Sequence, residues 1–329
     1  MKKILVIQTA FTGDAVLATA LIEKLHRFFP EAQIDFLVRK GNEGLVTDHP
    51  FLNEALVWNK KENKFKNLLI LLKKIREKKY DKVINLQRFA STGLLTAFSG
   101  AKEKIGFDKN PFSFLFTKKI LHHFTKEMHE VERNNKLIEN FTDDSFTKPR
   151  LYPSSKNEDE IKSFTQQPYV CMMPASVWFT KQYPMEKWLD LIDHFPGEYN
   201  IYLLGGKEDT LLCESIQEKA MNKNIEVLAG KLNFLSSAAL MKGAKMNYTN
   251  DSAPLHFASA TDAPVTAIFC STVPAFGFYP ISSKSFIIET DIKLSCKPCS
   301  LHGLKACPLE HFKCAYTIET SKLLSTLSS

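Results

Sequence analysis

The sequence predicts an α/β protein with two Rossmann-like, doubly wound domains that face each other across a cleft. Short apolar runs alternate with helix-like periodicity through most of the 329 residues, which is typical of parallel sheets covered on both faces. The alternation breaks at residues 141–167, which are rich in Ser, Thr, Pro and charge, so we expect the domain junction there. We assign residues 1–155 to an N-terminal domain and 156–329 to a C-terminal domain; the last helix could also pack back on the N-terminal domain.

In the first half, the segments that predict strands are short apolar runs followed by polar turns. They are residues 3–8, 33–39 and 81–87. The helix after the first strand begins near Asp14 and ends before Pro30. Its apolar residues form one stripe at helical spacing: Leu17, Leu21, Leu25 and Phe28.

The second half shows the same alternation more regularly. Buried strands are predicted at residues 168–176, 200–206, 225–230, 245–251 and 263–271. Helices are predicted between them, at residues 184–195, 207–221 and 233–243. Open sheets of this kind bind ligands at the carboxyl ends of their strands, so candidate site residues are sought there.

The net charge of +7 indicates an anionic partner, and much of the excess lies in residues 59–82. This segment is either an ordinary solvated helix or a basic amphipathic face that rests on an anionic membrane surface. No nucleic-acid-binding signature is present, so no nucleic-acid partner is expected. The apolar N-terminal run is too short for a secretion signal, which predicts a cytoplasmic protein, peripheral at the inner membrane if the basic face binds lipid.

Asp14 follows the first strand at the start of a helix. Aspartate commonly caps a helix there, because its carboxylate accepts hydrogen bonds from unpaired N–H groups. The same position suits a general base that takes a proton from a substrate hydroxyl. Beside it, Gly13 would let the backbone turn sharply and a substrate approach. We expect Thr12, Gly13 and Arg88 to bind the acceptor.

Two segments of the second half carry candidate phosphate-binding residues. Lys181 follows the first strand of that half and is either an exposed loop lysine or a point charge for a phosphate. Asp251 and Ser252 open a helix whose N–H groups could bind a diphosphate, and either residue is an expected cap. His256, on that helix, is either a buried structural histidine or a ligand-binding one.

A diglycine, Gly205–Gly206, ends another strand and is followed by Glu208. It could let a nucleotide approach the backbone while the carboxylate binds ribose hydroxyls, or it could be a plain turn. Neither a G-x-G-x-x-G after the first strand nor a P-loop is present, so dinucleotide and P-loop binding lack their usual fingerprints.

Taken together, these segments resemble glycosyltransferase family 9, the ADP-heptose:lipopolysaccharide heptosyltransferases. The similar stretches include "GDAVLATALIEKL", "TKQYPMEKW", "YTNDSAPLHFASATDAP" and "CKPCSLHGLKACPLEHFKC", in the family's order. The resemblance implies a GT-B architecture and transfer of a heptose from ADP-heptose to a lipid-linked acceptor, with inversion at the anomeric carbon. Such a transfer could work without a divalent ion, since no D-x-D pair of metal-binding aspartates stands where a donor should lie; we expect no cofactor and no metal.

The resemblance also assigns roles to residues. It implies that Asp14 is the base, that Lys181 contacts the donor's phosphates, and that Asp251, Ser252 and His256 bind the donor's diphosphate and sugar. One departure is Ala253, where the family usually has glycine, so a methyl group stands beside the expected diphosphate. A different enzyme on the same architecture, such as an epimerase or an oxidoreductase, and a non-catalytic or differently specific nucleotide-sugar-binding protein are the alternatives.

Four of the seven cysteines cluster near the C-terminus: Cys296, Cys299, Cys307 and Cys314. One C-x₂-C pair with two scattered cysteines is weaker evidence for zinc than two such pairs. Stable disulfides are disfavoured in a cytoplasmic protein. Free thiols and a small structural metal site, with His302 and His311 nearby, are both compatible with the pattern.

Overall fold

The computed structural model describes residues 2–122 and 128–328. Its contacts divide the chain into two compact units, Met1–Tyr152 and Pro153–Ser329. Each unit is built on one six-stranded parallel sheet.

The first unit has the strand order β3-β2-β1-β4-β5-β6. Its strands are β1 (Lys3–Ile7), β2 (Gln33–Arg39), β3 (Glu54–Trp58), β4 (Lys82–Asn85), β5 (Glu103–Phe107) and β6 (Lys118–Ile120). Its helices are α1 (Thr12–Phe28), α2 (Lys64–Lys78), α3 (Ala90–Ala97) and α4 (Glu130–Asn135). The chain order reverses between β1 and β4, which is the position where doubly wound sheets form their ligand-binding crevice.

The second unit repeats this topology with the order β12-β11-β10-β7-β8-β9. Its strands are β7 (Tyr169–Met173), β8 (Asn200–Leu203), β9 (Ile225–Val227), β10 (Asn247–Asn250), β11 (Val265–Ile268) and β12 (Ser285–Ile288). Its helices are α5 (Ser155–Ile161), α6 (Met185–Asp193), α7 (Thr210–Lys219), α8 (Phe234–Gly243), α9 (Ala253–Thr261), α10 (Lys313–Tyr316) and α11 (Thr320–Ser328). Here the chain order reverses between β7 and β10.

The central strands are buried on both faces, which explains why their sequences are continuously apolar. Ile4 to Ile7 of β1 and Val170 to Met172 of β7 are fully buried. The core of the second unit includes Leu323 of α11, a helix that packs against α6 and β12. The last helix thus contributes to the core of the second unit.

The doubly wound parallel sheet predicted for each half is confirmed. Every predicted strand is present; β2 has the predicted bounds, and the others are shorter than their predicted segments by one to five residues. The strands β3, β5, β6 and β12 were not predicted. Among the helices of the described residues, we find none whose length and apolar content would let it cross a membrane.

Candidate active site

The candidate site of the second unit lies at the carboxyl ends of β7, β10 and β11. These strands are neighbours and parallel, so the loops that follow them meet at one edge of the sheet. The loop after β7 carries Lys181, in a short 3₁₀ turn at Phe179–Lys181. The loop after β10 carries Asp251 and leads into α9.

An ion pair joins two of the residues predicted from sequence. Lys181 Nζ lies 2.7 Å from Asp251 Oδ2, with the side chains only 15% and 8% exposed. The hydroxyl of Thr272, in the loop after β11, donates to the same carboxylate oxygen at 2.7 Å. Of the two residues expected to cap α9, Ser252 occupies the N-cap position, while the carboxylate of Asp251 pairs with Lys181 instead.

Asn250 connects the loops that hold this pair. The buried amide Nδ2 donates to the carbonyl of Pro174 at 2.8 Å, and Oδ1 accepts the N–H of Tyr183 at 2.9 Å. One side chain at the end of β10 thereby fixes both ends of the segment that contains Lys181. Buried amides satisfied at both ends set a single loop geometry.

The start of α9 presents backbone N–H groups beside this ion pair. Within the described residues, the Ser252 side chain makes no capping hydrogen bond to α9; its hydroxyl lies 3.4 Å from the Asn250 carbonyl. Ala253 is the first helical residue. His256 is 6% exposed, and its ring lies 6.3 Å from that of Phe278. A helix N-terminus with a neighbouring lysine is a suitable site for a diphosphate.

The C-terminal loop packs on the stem of Lys181. Gly303, at φ +86°, is so close that an added Cβ would lie 2.8 Å from Lys181 Cγ and 2.9 Å from Trp178 Cβ. The buried hydroxyl of Thr180 accepts the N–H of Leu304 at 2.8 Å, and the Thr180 N–H donates to the Leu304 carbonyl at 3.1 Å. Sequence reasoning missed this support, because it depends on contacts between distant segments.

The diglycine after β8 forms a tight turn. Gly206 N–H donates to Asp209 Oδ2 at 2.8 Å, and a Cβ at Gly205 would lie 2.7 Å from Asp209 Cβ. Burial raises the pKa of the Asp209 carboxyl, while this N–H lowers it. Glu208 is exposed, so its carboxylate is accessible to a ligand at this sheet edge.

In the first unit, Asp14 is the third residue of α1 and is partly exposed. Its Oδ2 accepts the N–H of Phe11 at 3.1 Å, so the carboxylate does cap the first turn of α1. Thr12 donates to Asn42 Oδ1 at 3.1 Å. Gly13 is buried in the first turn of α1, where the backbone is helical. The prediction of a sharp turn at this glycine is therefore wrong.

Asp14 acts electrostatically on a buried ion pair that was not predicted. Glu130, at the start of α4, forms an ion pair with Arg133, whose side chain is only 4% exposed. Burial raises the pKa of the Glu130 carboxyl to about 7; Arg133 opposes this rise, Asp14 adds to it and Arg88 opposes it. The exposed Arg88, in the loop after β4, and Asp14 therefore both act on Glu130.

The charges of the same two arginines also act on His122. Burial, together with the charges of Arg88 and Arg133, lowers the pKa of its imidazole to about 4. Asn110 fixes the loop of Arg88, since its Nδ2 donates to the carbonyls of Gln87 and Phe89 at 3.0 and 3.1 Å. Arg88 and Arg133 thus act electrostatically on both His122 and Glu130.

Two cations flank the loop before α1. Lys60 Nζ donates to the Thr9 carbonyl at 2.6 Å, and Arg39 donates to Thr12 Oγ1 at 3.4 Å. Burial, together with the charges of Arg39 and Lys64, lowers the pKa of the Lys60 ammonium to about 8. One cation thus lies at Thr12 and a second at Thr9.

The four C-terminal cysteines lie in the loop that packs on Lys181 and in α10. All are free thiols. Cys296 Sγ lies 3.9 Å from His311 Nε2, and burial raises the pKa of the Cys314 thiol to about 11. In residues 2–122 and 128–328, no group of three or more His, Cys, Asp or Glu side chains is arranged to hold a metal ion.

The structure thus brings the predicted residues together in two groups, one in each unit. Lys181, Asp251, Ser252 and His256 lie around the start of α9, while the diglycine and Glu208 follow the nearby β8. Asp14, Thr12 and Gly13 share the first turn of α1, and the charges of Asp14 and Arg88 both act on Glu130.

Comparison with known proteins identifies similar chains. The sequence model of glycosyltransferase family 9 (heptosyltransferase) matches residues 68–307. A lipopolysaccharide heptosyltransferase 3 of Escherichia coli is 28% identical over 279 residues, which are 80% of this chain and 82% of the relative.

Two solved structures share the fold over nearly the whole chain. The E. coli ADP-heptose lipopolysaccharide heptosyltransferase II superposes with a TM-score of 0.82 at 22% identity, covering 100% of this chain and 98% of that one. A family 9 glycosyltransferase from Veillonella parvula gives a TM-score of 0.84 at 22% identity, covering 99% and 96%.

Proposed function

Because the chain belongs to glycosyltransferase family 9, the heptosyltransferases, and is a glycosyltransferase, we propose that it transfers a heptose from ADP-heptose to a lipid-linked acceptor of lipopolysaccharide-core type. The observation that carries the proposal is the Lys181–Asp251 ion pair beside the start of α9. The acceptor would be met at the cytoplasmic face of the inner membrane.

The second unit is proposed to bind the donor. The N–H groups at the start of α9 would bind the diphosphate, and Lys181, oriented by Asp251, would supply a positive charge. Ser252 and His256 would contact the diphosphate and the sugar, and the diglycine with Glu208 would hold the ribose. Negative charge grows on the leaving diphosphate as the bond to the sugar breaks, so fixed donors lower the barrier.

The first unit is proposed to bind the acceptor and to supply the base. Asp14 would take the proton from the acceptor hydroxyl while the hydroxyl oxygen bonds to the anomeric carbon. The bond from that carbon to the diphosphate breaks on the opposite face, and ADP leaves with the bonding electrons, so the configuration inverts. Phe11 N–H and the positive end of α1 favour the carboxylate that a base requires.

Thr12, Gly13 and Arg88 would position the acceptor. The cations Arg39, at Thr12, and Lys60, at Thr9, suit an acceptor that carries acidic groups. The proposal needs no metal, because Lys181 and the start of α9 would stabilise the leaving group.

The test is a transfer assay with ADP-heptose and a lipopolysaccharide-core acceptor. Asp14→Asn keeps an oxygen for the Phe11 N–H but cannot take a proton, so we expect kcat to fall by about 10²- to 10⁴-fold with ADP affinity unchanged. The control is Asp48→Asn, an exposed residue of the same unit. An active Asp14→Asn enzyme would refute the role of the base.

Ala253 supports one alternative, a protein of the same fold that binds a different nucleotide sugar or does not catalyse transfer. Its methyl group stands at the first helical position, where the family usually has glycine. If Ala253→Gly gains ADP-heptose transfer that the wild type lacks, or if the wild type is stabilised only by another nucleotide sugar, this alternative replaces the heptose proposal.

A further inference from the structure

The helix α2 lies within the most basic segment of the chain. Residues 59–82 contain ten Lys or Arg and three Asp or Glu, so this segment alone carries as much net charge as the whole protein. The helix itself contains a single acidic residue, Glu77, which lies 3.9 Å from Lys73.

One face of α2 packs on the first unit. Leu68, Leu71 and Ile75 are buried and belong to the core cluster around Trp58 and Leu56. This buried stripe is the face by which α2 packs on the first unit, and the exposed apolar residues of α2 do not take part in that packing.

The outer face of α2 is apolar as well as basic. Phe65 is 77% exposed, Leu69 62% and Ile70 57%. At 3.6 residues per turn, Lys66 and Lys73 fall between Leu69 and Ile70 on this face. A helix that presents large apolar side chains between lysines, outside any core, is typical of helices that lie in a membrane interface.

The apolar surface continues beyond α2. Arg76 donates to the carbonyl of Phe98 at 3.2 Å, and the Phe98 ring lies 6.3 Å from that of Phe112, which stacks on Phe114 at 6.5 Å. Phe98 is 44% and Phe114 71% exposed. An arginine thus links the basic helix to a cluster of three aromatic rings, of which those of Phe98 and Phe114 are exposed.

We infer that the outer face of α2, together with Phe98, Phe112 and Phe114, docks the first unit on an anionic lipid bilayer. The lysines would pair with lipid phosphates, and Phe65, Leu69 and Ile70 would enter the boundary between headgroups and acyl chains. Charge complementarity selects this occupant: a second copy of the chain would bring the same positive surface against itself.

This surface lies outside the residues proposed for transfer. Vesicle binding does not require a donor, and transfer to a water-soluble acceptor fragment does not require a bilayer. Failure of the docking proposal can therefore be told apart from failure of the proposed function.

The test is flotation of the full chain with vesicles of phosphatidylcholine alone or mixed with phosphatidylglycerol. We expect binding only to the mixed vesicles, weakened by salt. Two variants should each reduce this binding about tenfold or more: Phe65→Ser with Leu69→Ser, which removes apolar area, and Lys66→Glu with Lys73→Glu, which reverses charge. Both should keep wild-type thermal stability, since these residues are exposed.

The matched control is Leu211→Ser on α7, which removes a 79% exposed leucine from the second unit and should leave flotation unchanged. Absence of wild-type binding to the mixed vesicles would overturn the proposal. So would equal binding by all variants, or a concentration-dependent dimer in light scattering that the serine variant abolishes, since that result assigns the face to a second copy.

Discussion

Replacing Gly303 with alanine tests whether the C-terminal loop positions Lys181. Two costs add at this residue. Alanine at φ +86° pays about 1–2 kcal/mol for a left-handed backbone. The new Cβ would also lie 2.8 Å from Lys181 Cγ and 2.9 Å from Trp178 Cβ, and such overpacking typically costs about 1–3 kcal/mol.

A matched control separates the two costs. Gly100 also has a positive φ, +77°, and within 4 Å of its added Cβ there is no atom of the described residues outside its chain neighbours. Gly100→Ala should therefore lose stability only through its left-handed backbone. The difference between the two free energies of unfolding, measured with urea, should be about 1–3 kcal/mol and reports the contact with Lys181 and Trp178.

The same variant should also weaken donor binding. The lysine stem must move away from the new methyl group, and its ammonium would lose the position set by Asp251 at 2.7 Å. We expect the affinity for ADP, measured by calorimetric titration, to fall about tenfold, because a hydrogen bond to a charged group contributes about 1.5–3 kcal/mol. Equal stabilities of the two alanine variants, with unchanged ADP affinity, would refute the reasoning.

Three further predictions concern single side chains. Lys181→Met should lower ADP affinity about tenfold to a hundredfold in calorimetry, because a charged contact to phosphate is lost; an unchanged affinity would remove Lys181 from the donor site. Asn250→Ala should lower the free energy of unfolding in urea by about 2–4 kcal/mol, because the buried Tyr183 N–H and Pro174 carbonyl lose their hydrogen-bond partner. Replacing the exposed Asn224 with alanine should lower it far less. Glu130 has its pKa raised to about 7 in the folded protein, so the folded state binds more protons than the unfolded state between pH 4.5 and 7. Stability should therefore fall as pH rises through this window, and Glu130→Gln should flatten the dependence; parallel unfolding curves of the two proteins against pH would contradict this assignment.

The sequence predicts the central strands except β5, and of the edge strands it predicts only β9. β1 and β7 are buried on both faces, so their apolar runs are unbroken. β3, β6 and β12 stand at sheet edges with exposed positions, and their residues need not be apolar. The strand β5 pairs with a neighbour on each side, but it begins with two partly exposed charged residues. Its sequence therefore lacks the continuous apolar run by which buried strands are predicted.

The candidate residues are predictable one by one, but their pairing is not. In the sequence, Lys181 is indistinguishable from an ordinary loop lysine and Asp251 from an ordinary helix cap. Only the adjacency of β7 and β10 brings Lys181 Nζ to 2.7 Å from Asp251 Oδ2. Glu130 could not be predicted from sequence, since its unusual protonation arises from burial beside Arg133 and from the charge of Asp14.

The repeated strand order has a consequence for how such enzymes diversify. Each half, ending at Tyr152 or beginning at Pro153, completes its own sheet and encloses its own apolar interior. A chimera joined at this peptide bond would leave every ladder of both sheets intact. Choice of the hydroxyl that is glycosylated and choice of the activated sugar could therefore be inherited from different parents and altered one at a time.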